Sequence, residues 1–318
     1  MLFTFIDLFS GIGGFRIALE SLGGVCVFSS DIDENARRTY EHAFSDVPAG
    51  DITLQETKDA VPYGVDVICA GFPCQSFSVA GKQKGFKDER GTLFFDVLDV
   101  IKAKCPRAFI LENVKNIVTH DGGRTMATIV ASLEQAGYLV RYEVLDALEY
   151  ANVPQHRERV FIVGFRKYLW SLVPSFSFPE PIPLTKRFQD CIQYGSEDRK
   201  LFYSQKNFKH YDTLISTVTD PDRVYQYRRH YMRENKSGVC PTLTANMGTG
   251  GHNVPIIIDN GRIRKLSPRE CLNFQGFPDW FEFPEKIPYN ARYKQSGNTV
   301  VVPLVRRVAE RVIEILQP

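Results

Sequence analysis

Through the first half of the chain, short apolar runs alternate with stretches in which apolar residues recur every three to four positions. Residues 2–8, rich in Phe and Ile, predict a strand. Phe15, Ala18, Leu19 and Leu22 then recur at helical spacing, predicting a helix over 13–21. Residues 25–29 predict a second strand, and 33–43 a second helix opened by acidic residues, as the helix dipole prefers. Further strands are predicted at 65–70, 108–111, 140–145 and 160–165, with helical segments at 93–102 and 125–136. Alternation of this kind predicts an α/β fold, a doubly wound, mostly parallel sheet. The pattern changes near Leu172, where Pro174, Pro179, Pro181 and Pro183 mark a linker. Helical periodicity then fades, and Tyr, Thr, Gly and Arg dominate up to Lys265, predicting a smaller β-rich domain. An amphipathic helix at 302–316 closes the chain. The predicted organisation is a large domain over 1–178, completed by 290–318, with 179–289 forming the second domain and a hinge.

Bulk composition narrows the classes without choosing among them. The 318 residues are 43% hydrophobic and 24% charged, ordinary for a soluble globular protein. Net charge is +2, so any nucleic-acid partner must be argued from local distribution. Residues 180–265 carry 14 Lys and Arg against 9 Asp and Glu, a local basic excess. The seven cysteines, at 26, 69, 74, 105, 191, 240 and 271, are odd in number and contain no C-x-x-C pair. Neither a disulfide framework nor a zinc ribbon is suggested, and a reduced, cytoplasmic setting fits. Asp7 and a glycine cluster arrive too early for a signal peptide, and no apolar run approaches the ~18 residues of a membrane span.

Candidate chemistry lies where strands are predicted to end, the edge at which open α/β sheets bind ligands. Cys74 follows the apolar run 65–69 and the turn Gly71-Phe72-Pro73, a placement for a nucleophilic thiol. Taken alone, a buried structural cysteine is as good a reading. Asp7-Leu8-Phe9-Ser10-Gly11-Ile12-Gly13-Gly14-Phe15-Arg16 joins the first strand to the first helix, where glycines let a ligand approach main-chain N–H groups. Arg16 replaces the third glycine of a dinucleotide fingerprint, which disfavours a nicotinamide or flavin enzyme. Asp31, about twenty residues on, is placed to accept from a ribose, and Asp51 from an adenine amino group. A nucleoside cofactor without a pyrophosphate, such as S-adenosylmethionine, fits this set; a plain tight turn with surface acids is the alternative. Glu112 ends another predicted strand, where desolvation would favour its protonated form. Arg157 and Arg159 flank Glu158 and are expected to share one strand face.

These motifs together resemble the bacterial DNA cytosine-5 methyltransferase family. The resemblance is carried by residues 7–15, by Gly71-Phe72-Pro73-Cys74-Gln75, by Glu112-Asn113-Val114 and by Gln155-His156-Arg157-Glu158-Arg159. Arg264-Lys265-Leu266-Ser267-Pro268-Arg269-Glu270 and Gln295-Ser296-Gly297-Asn298-Thr299-Val300-Val301 complete it, in the family's order and over nearly the whole chain. The unmatched part lies mainly between Phe165 and Arg262.

The resemblance implies a Rossmann-like S-adenosylmethionine domain and a target-recognition domain acting on double-stranded DNA. It implies that Cys74 attacks C6 of a flipped cytosine, that Glu112 assists at N3, that Arg157 supports the thiolate and contacts the base, and that Arg159 braces the site. It assigns the cofactor to Phe9, Gly11, Gly13, Asp31, Ile32, Asp51, Ile52, Pro73, Leu93 and Asn298. Asp31-Ile32 stands where relatives often carry glutamate and tryptophan, which bears on the detailed ribose and adenine contacts. Residues 76–92 resemble the family's closing loop, and Gln75, Ser78, Lys82 and Arg90 are expected at the DNA. In the second domain Arg228, Arg229, Thr242, Asn246 and Gly250 are the candidate DNA contacts. A monomer, paired in function with a restriction endonuclease, is the family-level expectation.

Three other readings compete for the same motifs. A tRNA methyltransferase with the same cysteine chemistry shares the catalytic motifs; the separate basic segment before Arg264 favours a DNA reader. A non-catalytic DNA-binding regulator is disfavoured by the intact Cys74, Glu112, Arg157 and Asn298, and an oxidoreductase by Arg16.

Overall fold

Phe3–Leu8 forms β1, with apolar side chains on both faces, as a strand covered on both sides requires. The computed structural model describes residues 2–73, 93–169, 171–228, 231–248 and 254–317. After β1 come α1 (Gly14–Glu20), β2 (Gly24–Ser30), α2 (Glu34–Phe44), α3 (Gln55–Ala60) and β3 (Val67–Gly71). There follow α4 (Leu93–Lys104), β4 (Ala108–Val114), α5 (Asn116–Thr119), α6 (Arg124–Gln135), β5 (Tyr138–Asp146), α7 (Ala147–Tyr150) and β6 (Glu158–Arg166). The six strands make one sheet in the order β2-β1-β3-β4-β6-β5. Pairings from β2 through β4 are parallel, and β6 runs antiparallel to β4. The mostly parallel sheet expected from the alternation is present. Ala49 joins the β2 edge through an isolated bridge to Ser30, with hydrogen bonds to Ser29 and Asp31, which brings Asp51 close to the end of β2.

The core of this sheet is apolar and fully enclosed, with Ile6, Ile68, Phe94, Val97, Phe109 and Leu111 at its centre. Asp33 caps α2 by accepting from the N–H groups of Asn35 and Ala36.

Later in the chain stand α8 (Tyr211–Thr217), β7 (Val224–Arg228), β8 (Tyr231–Asn235), β9 (Ile256–Asp259), β10 (Arg262–Lys265), α9 (Pro268–Asn273), α10 (Tyr289–Asn298) and α11 (Val302–Leu316). Their strands form an antiparallel sheet in the order β10-β9-β7-β8. Arg264 is enclosed there, donating through Nε to Asp259 at 2.6 Å and through both terminal nitrogens to Glu270 at 2.8 Å. Glu270 also closes the capping box of α9 with Ser267.

Two compact units result. One comprises Met1–Leu145, Glu158–Glu180 and Leu304–Pro318; the other comprises Asp146–Arg157 and Pro181–Pro303. The division differs from the sequence-derived boundaries, for it places Asp146–Arg157 and residues 290–303 with the second unit. Among the described residues no helix is long and apolar enough to cross a membrane.

Candidate active site

In the first unit, parallel register brings the carboxyl ends of β1, β2, β3 and β4 to one edge. Asp7 pairs with Ser29 on one side and Cys69 on the other, and Gly71 pairs with Glu112. Beyond β1 the chain turns sharply: Phe9 has φ 54°, Gly11 φ 54° and Gly13 φ 87°. A left-handed non-glycine residue such as Phe9 stores strain of ~1–3 kcal/mol, a common mark of a ligand site. Gly13 admits no side chain, since a Cβ there would stand 2.3 Å from the Phe44 ring.

Asp31 holds this turn. Its Oδ2 accepts the Gly11 N–H at 2.8 Å and its Oδ1 the Asp33 N–H at 2.7 Å. Ile32 beside it is 72% exposed, and Phe9 is half-buried. Asp51, half-buried, accepts the Thr53 N–H at 2.9 Å, and Ile52 is buried in the core. Leu93 opens α4, and Pro73 is exposed.

Beneath the turn lies Asp7, which sequence reasoning left without a role although it is a carboxyl within an apolar strand. It is fully buried, and neither oxygen makes a hydrogen bond by distance and angle. Burial, reinforced by the charge of Asp31, pushes its acidity from 3.8 to about 8; the Arg16 guanidinium and main-chain N–H oppose this.

Glu112 lies within β4, two residues before its end, and is 8% exposed. Its Oε1 is 2.9 Å from Arg159 Nε on β6, so the largely buried carboxyl has a cationic partner. A Cβ on Gly71 would stand 3.7 Å from Glu112 Oε2. The neighbouring Asn113 is buried and donates through Nδ2 to the Phe72 carbonyl at 2.9 Å. Glu112 thus stands against the last residue of β3, and Asn113 grips the turn that leads toward position 74.

Cys74, Gln75, Ser78, Lys82 and Arg90 lie outside the described residues, as do Arg229 and Gly250. Among the described cysteines, burial pushes Cys26 up to about 12 and Cys191 to about 11, and holds Cys69, Cys240 and Cys271 well above the usual thiol value. Such thiols stay protonated and inert.

Arg157 departs from its expected place. It precedes β6 instead of sharing a strand face with Arg159, it belongs to the second unit, and it is 2% exposed. Its guanidinium donates to the main-chain carbonyls of Leu243 at 2.7 Å, Gly297 at 3.2 Å and Thr299 at 2.7 Å. Both terminal nitrogens of the guanidinium are thus engaged with main chain. Asn298 is exposed at the end of α10. Thr242 is half-buried, and Asn246 and Arg228 are exposed.

Residues 3–314 match the sequence model of the family described as C-5 cytosine-specific DNA methylase. The chain is 47% identical over 310 residues to the type II methyltransferase M.Bsp6I of Bacillus sp. (strain RFL6), covering 96% of this chain and 97% of that protein. It is 42% identical over 338 residues to the type II methyltransferase M.HpaII of Haemophilus parainfluenzae, covering 99% and 90%. Among solved structures, the S. pombe Dnmt2 methyltransferase has a similar fold, with a TM-score of 0.76 at 18% identity, covering 99% of this chain and all of that one.

Proposed function

The chain belongs to the C-5 cytosine-specific DNA methylase family, and from that premise we propose that Cys74, Glu112 and Arg159 methylate one cytosine within a short duplex DNA site. The observation that carries the assignment is the Glu112–Arg159 pair, standing against the end of β3 where the chain turns toward Cys74.

The residues at the first-unit edge fit S-adenosylmethionine. Asp31 Oδ2 accepts the Gly11 N–H and Oδ1 the Asp33 N–H, which fixes the carboxylate at the strand edge where a ribose hydroxyl would be received. Phe9 and Ile32 offer apolar surface to a purine, and Asp51 an acceptor for its amino group. Asn298 is assigned to the same cofactor by the family pattern. S-adenosylmethionine, when bound, supplies an electrophilic methyl group.

C5 of cytosine is a poor nucleophile, and covalent addition overcomes this. The base leaves the duplex stack. The Cys74 thiolate forms a bond to C6 while Glu112 delivers a proton to N3, which raises the electron density at C5. Arg159 fixes the Glu112 carboxyl and offsets charge as the ring becomes electron-rich. The electron-rich C5 would then accept the methyl group, the cofactor's sulfur leaving as a thioether with the bonding pair, and would give up its own proton to a base. The Cys74–C6 bond breaks, the N3 proton returns, and 5-methylcytosine is released.

The type II names of the relatives support functional pairing with a restriction endonuclease; monomeric action in a bacterial cytoplasm is the accompanying family-level expectation. The test is transfer of labelled methyl to unmethylated genomic DNA, with bulk tRNA in parallel, followed by sequencing for 5-methylcytosine. Label in DNA at one short motif is expected. Label only in tRNA, or in neither substrate with folded, cofactor-bound protein, would overturn the reading.

A further inference from the structure

Both main-chain polar groups of Leu243 are held by side chains from one short segment. The Leu243 N–H donates to Gln155 Oε1 at 3.0 Å, and the Leu243 carbonyl accepts from Arg157 at 2.7 Å. Thr242 adds a third tie, donating through Oγ1 to the His156 carbonyl at 2.6 Å. Gln155 is itself enclosed and donates to the Phe274 carbonyl at 2.7 Å.

The grip continues on the other side. The second arm of the Arg157 fork reaches the carbonyls of Gly297 and Thr299 at the end of α10. A Cβ on Gly297 would stand 2.2 Å from the Thr244 carbonyl carbon and oxygen and 2.6 Å from the Ala245 nitrogen. Helix and segment therefore meet main chain to main chain, an approach that only glycine allows. Between these fixed points Thr244 and Asn246 face solvent.

A planar guanidinium holds carbonyls on two sides with two separate nitrogens in a rigid fork, a span that the single nitrogen of an ammonium lacks. We propose that Arg157, with Gln155 and Gly297, is a positioning residue that sets the main chain of Thr242–Asn246 for DNA contact and acts on the substrate only through that segment. The proposal rests on reading Thr242 and Asn246 as DNA-facing within the activity proposed above.

The test uses the full chain, a duplex carrying the mapped methylation site, and a duplex with one base pair of that site changed. In Arg157→Lys, which keeps the charge and loses the fork, the DNA KM should rise at least about ten-fold while kcat falls far less. Gly297→Ala should move the DNA KM in the same direction with Arg157 intact. In both variants discrimination between the two duplexes should shrink. A kcat loss of about a hundred-fold or more at unchanged DNA KM in Arg157→Lys would overturn the proposal and return Arg157 to the base. So would a folded Gly297→Ala indistinguishable from the parent, and that variant decides alone if Arg157→Lys does not fold. A parent enzyme that binds cofactor yet methylates no DNA would strike the activity reading and this proposal together. An active parent with an unmoved DNA KM in both variants would strike the proposal only.

Discussion

Arg159 Nε and Glu112 Oε1 face each other at 2.9 Å across two antiparallel strands. The register explains the meeting: Val114 pairs with Arg159 and Glu112 with Phe161, so the two charged residues occupy one face at neighbouring diagonal positions. Arg159→Ala is expected to lower methyl transfer by ~10²–10³, and Glu112→Gln by ~10²–10⁴. Because the two act as a unit, the double variant should lose much less than the product of the single losses. Single-turnover kinetics on a saturating duplex reads all three; multiplicative losses would mean that the residues act independently.

Cys74→Ser should abolish methyl transfer and leave DNA binding largely intact, since an alcohol is a far weaker nucleophile than a thiolate. Gel-shift affinity and labelled-methyl transfer, measured on one preparation, check the separation. Substantial retained transfer would remove Cys74 as the nucleophile.

Asp31→Ala removes the acceptor for the Gly11 and Asp33 N–H groups as well as any ribose contact. Cofactor Kd, measured by calorimetry, should rise at least about ten-fold, the scale of one charge-assisted hydrogen bond. An unchanged Kd would place the ribose elsewhere.

Asp7 makes stability depend on pH. Its acidity is raised from 3.8 to about 8 in the folded protein. Between those values the unfolded chain has released the proton and the folded chain keeps it. Stability therefore falls as pH rises through that window, by ~1.4 kcal/mol per pH unit from this group. Below pH 4 both states are protonated, and above about pH 8 both are ionised, so the slope vanishes at either end. Asp7→Asn should melt increasingly above the parent between pH 4 and pH 8. A difference that stays constant across this range would show that Asp7 ionises normally.

Arg264, Asp259 and Glu270 form an enclosed ion cluster, with the Gly195 N–H also donating to Asp259 at 2.8 Å. Breaking such a cluster leaves a charge buried without its partner. Glu270→Ala should cost ~3–5 kcal/mol of unfolding free energy in denaturant titration. Replacing all three by apolar residues should cost much less, because no charge is then stranded.

Most of the first unit was legible because its strands are apolar runs and its helices carry apolar stripes. β1, α2, β4 and α11 lie within a few residues of their predicted places. The helices of the second unit were not. α8 and α9 are seven and six residues long, too short to establish a period. α10 buries Gln295, Ser296 and Gly297 beside Tyr293, so its inward face carries no hydrophobic signal. The fate of Arg157 was equally hidden, since its carbonyl partners lie 86, 140 and 142 residues away. Main-chain acceptors leave no mark in a sequence. Asp7 could have been noticed as an acid inside a strand otherwise apolar.

The last helix belongs with the first strand. α11 buries Leu304, Val305, Val308 and Val312, and the Leu316 carbonyl accepts from Arg107 at 2.6 Å. During synthesis on the ribosome, the unit begun at β1 therefore stays unfinished until the whole second unit has been made. Meanwhile the apolar surface reserved for α11 is open to water and to chaperones. A nascent chain arrested at residue 303 would hold every residue of the second unit and an incomplete first one, and quality control would meet it in that form.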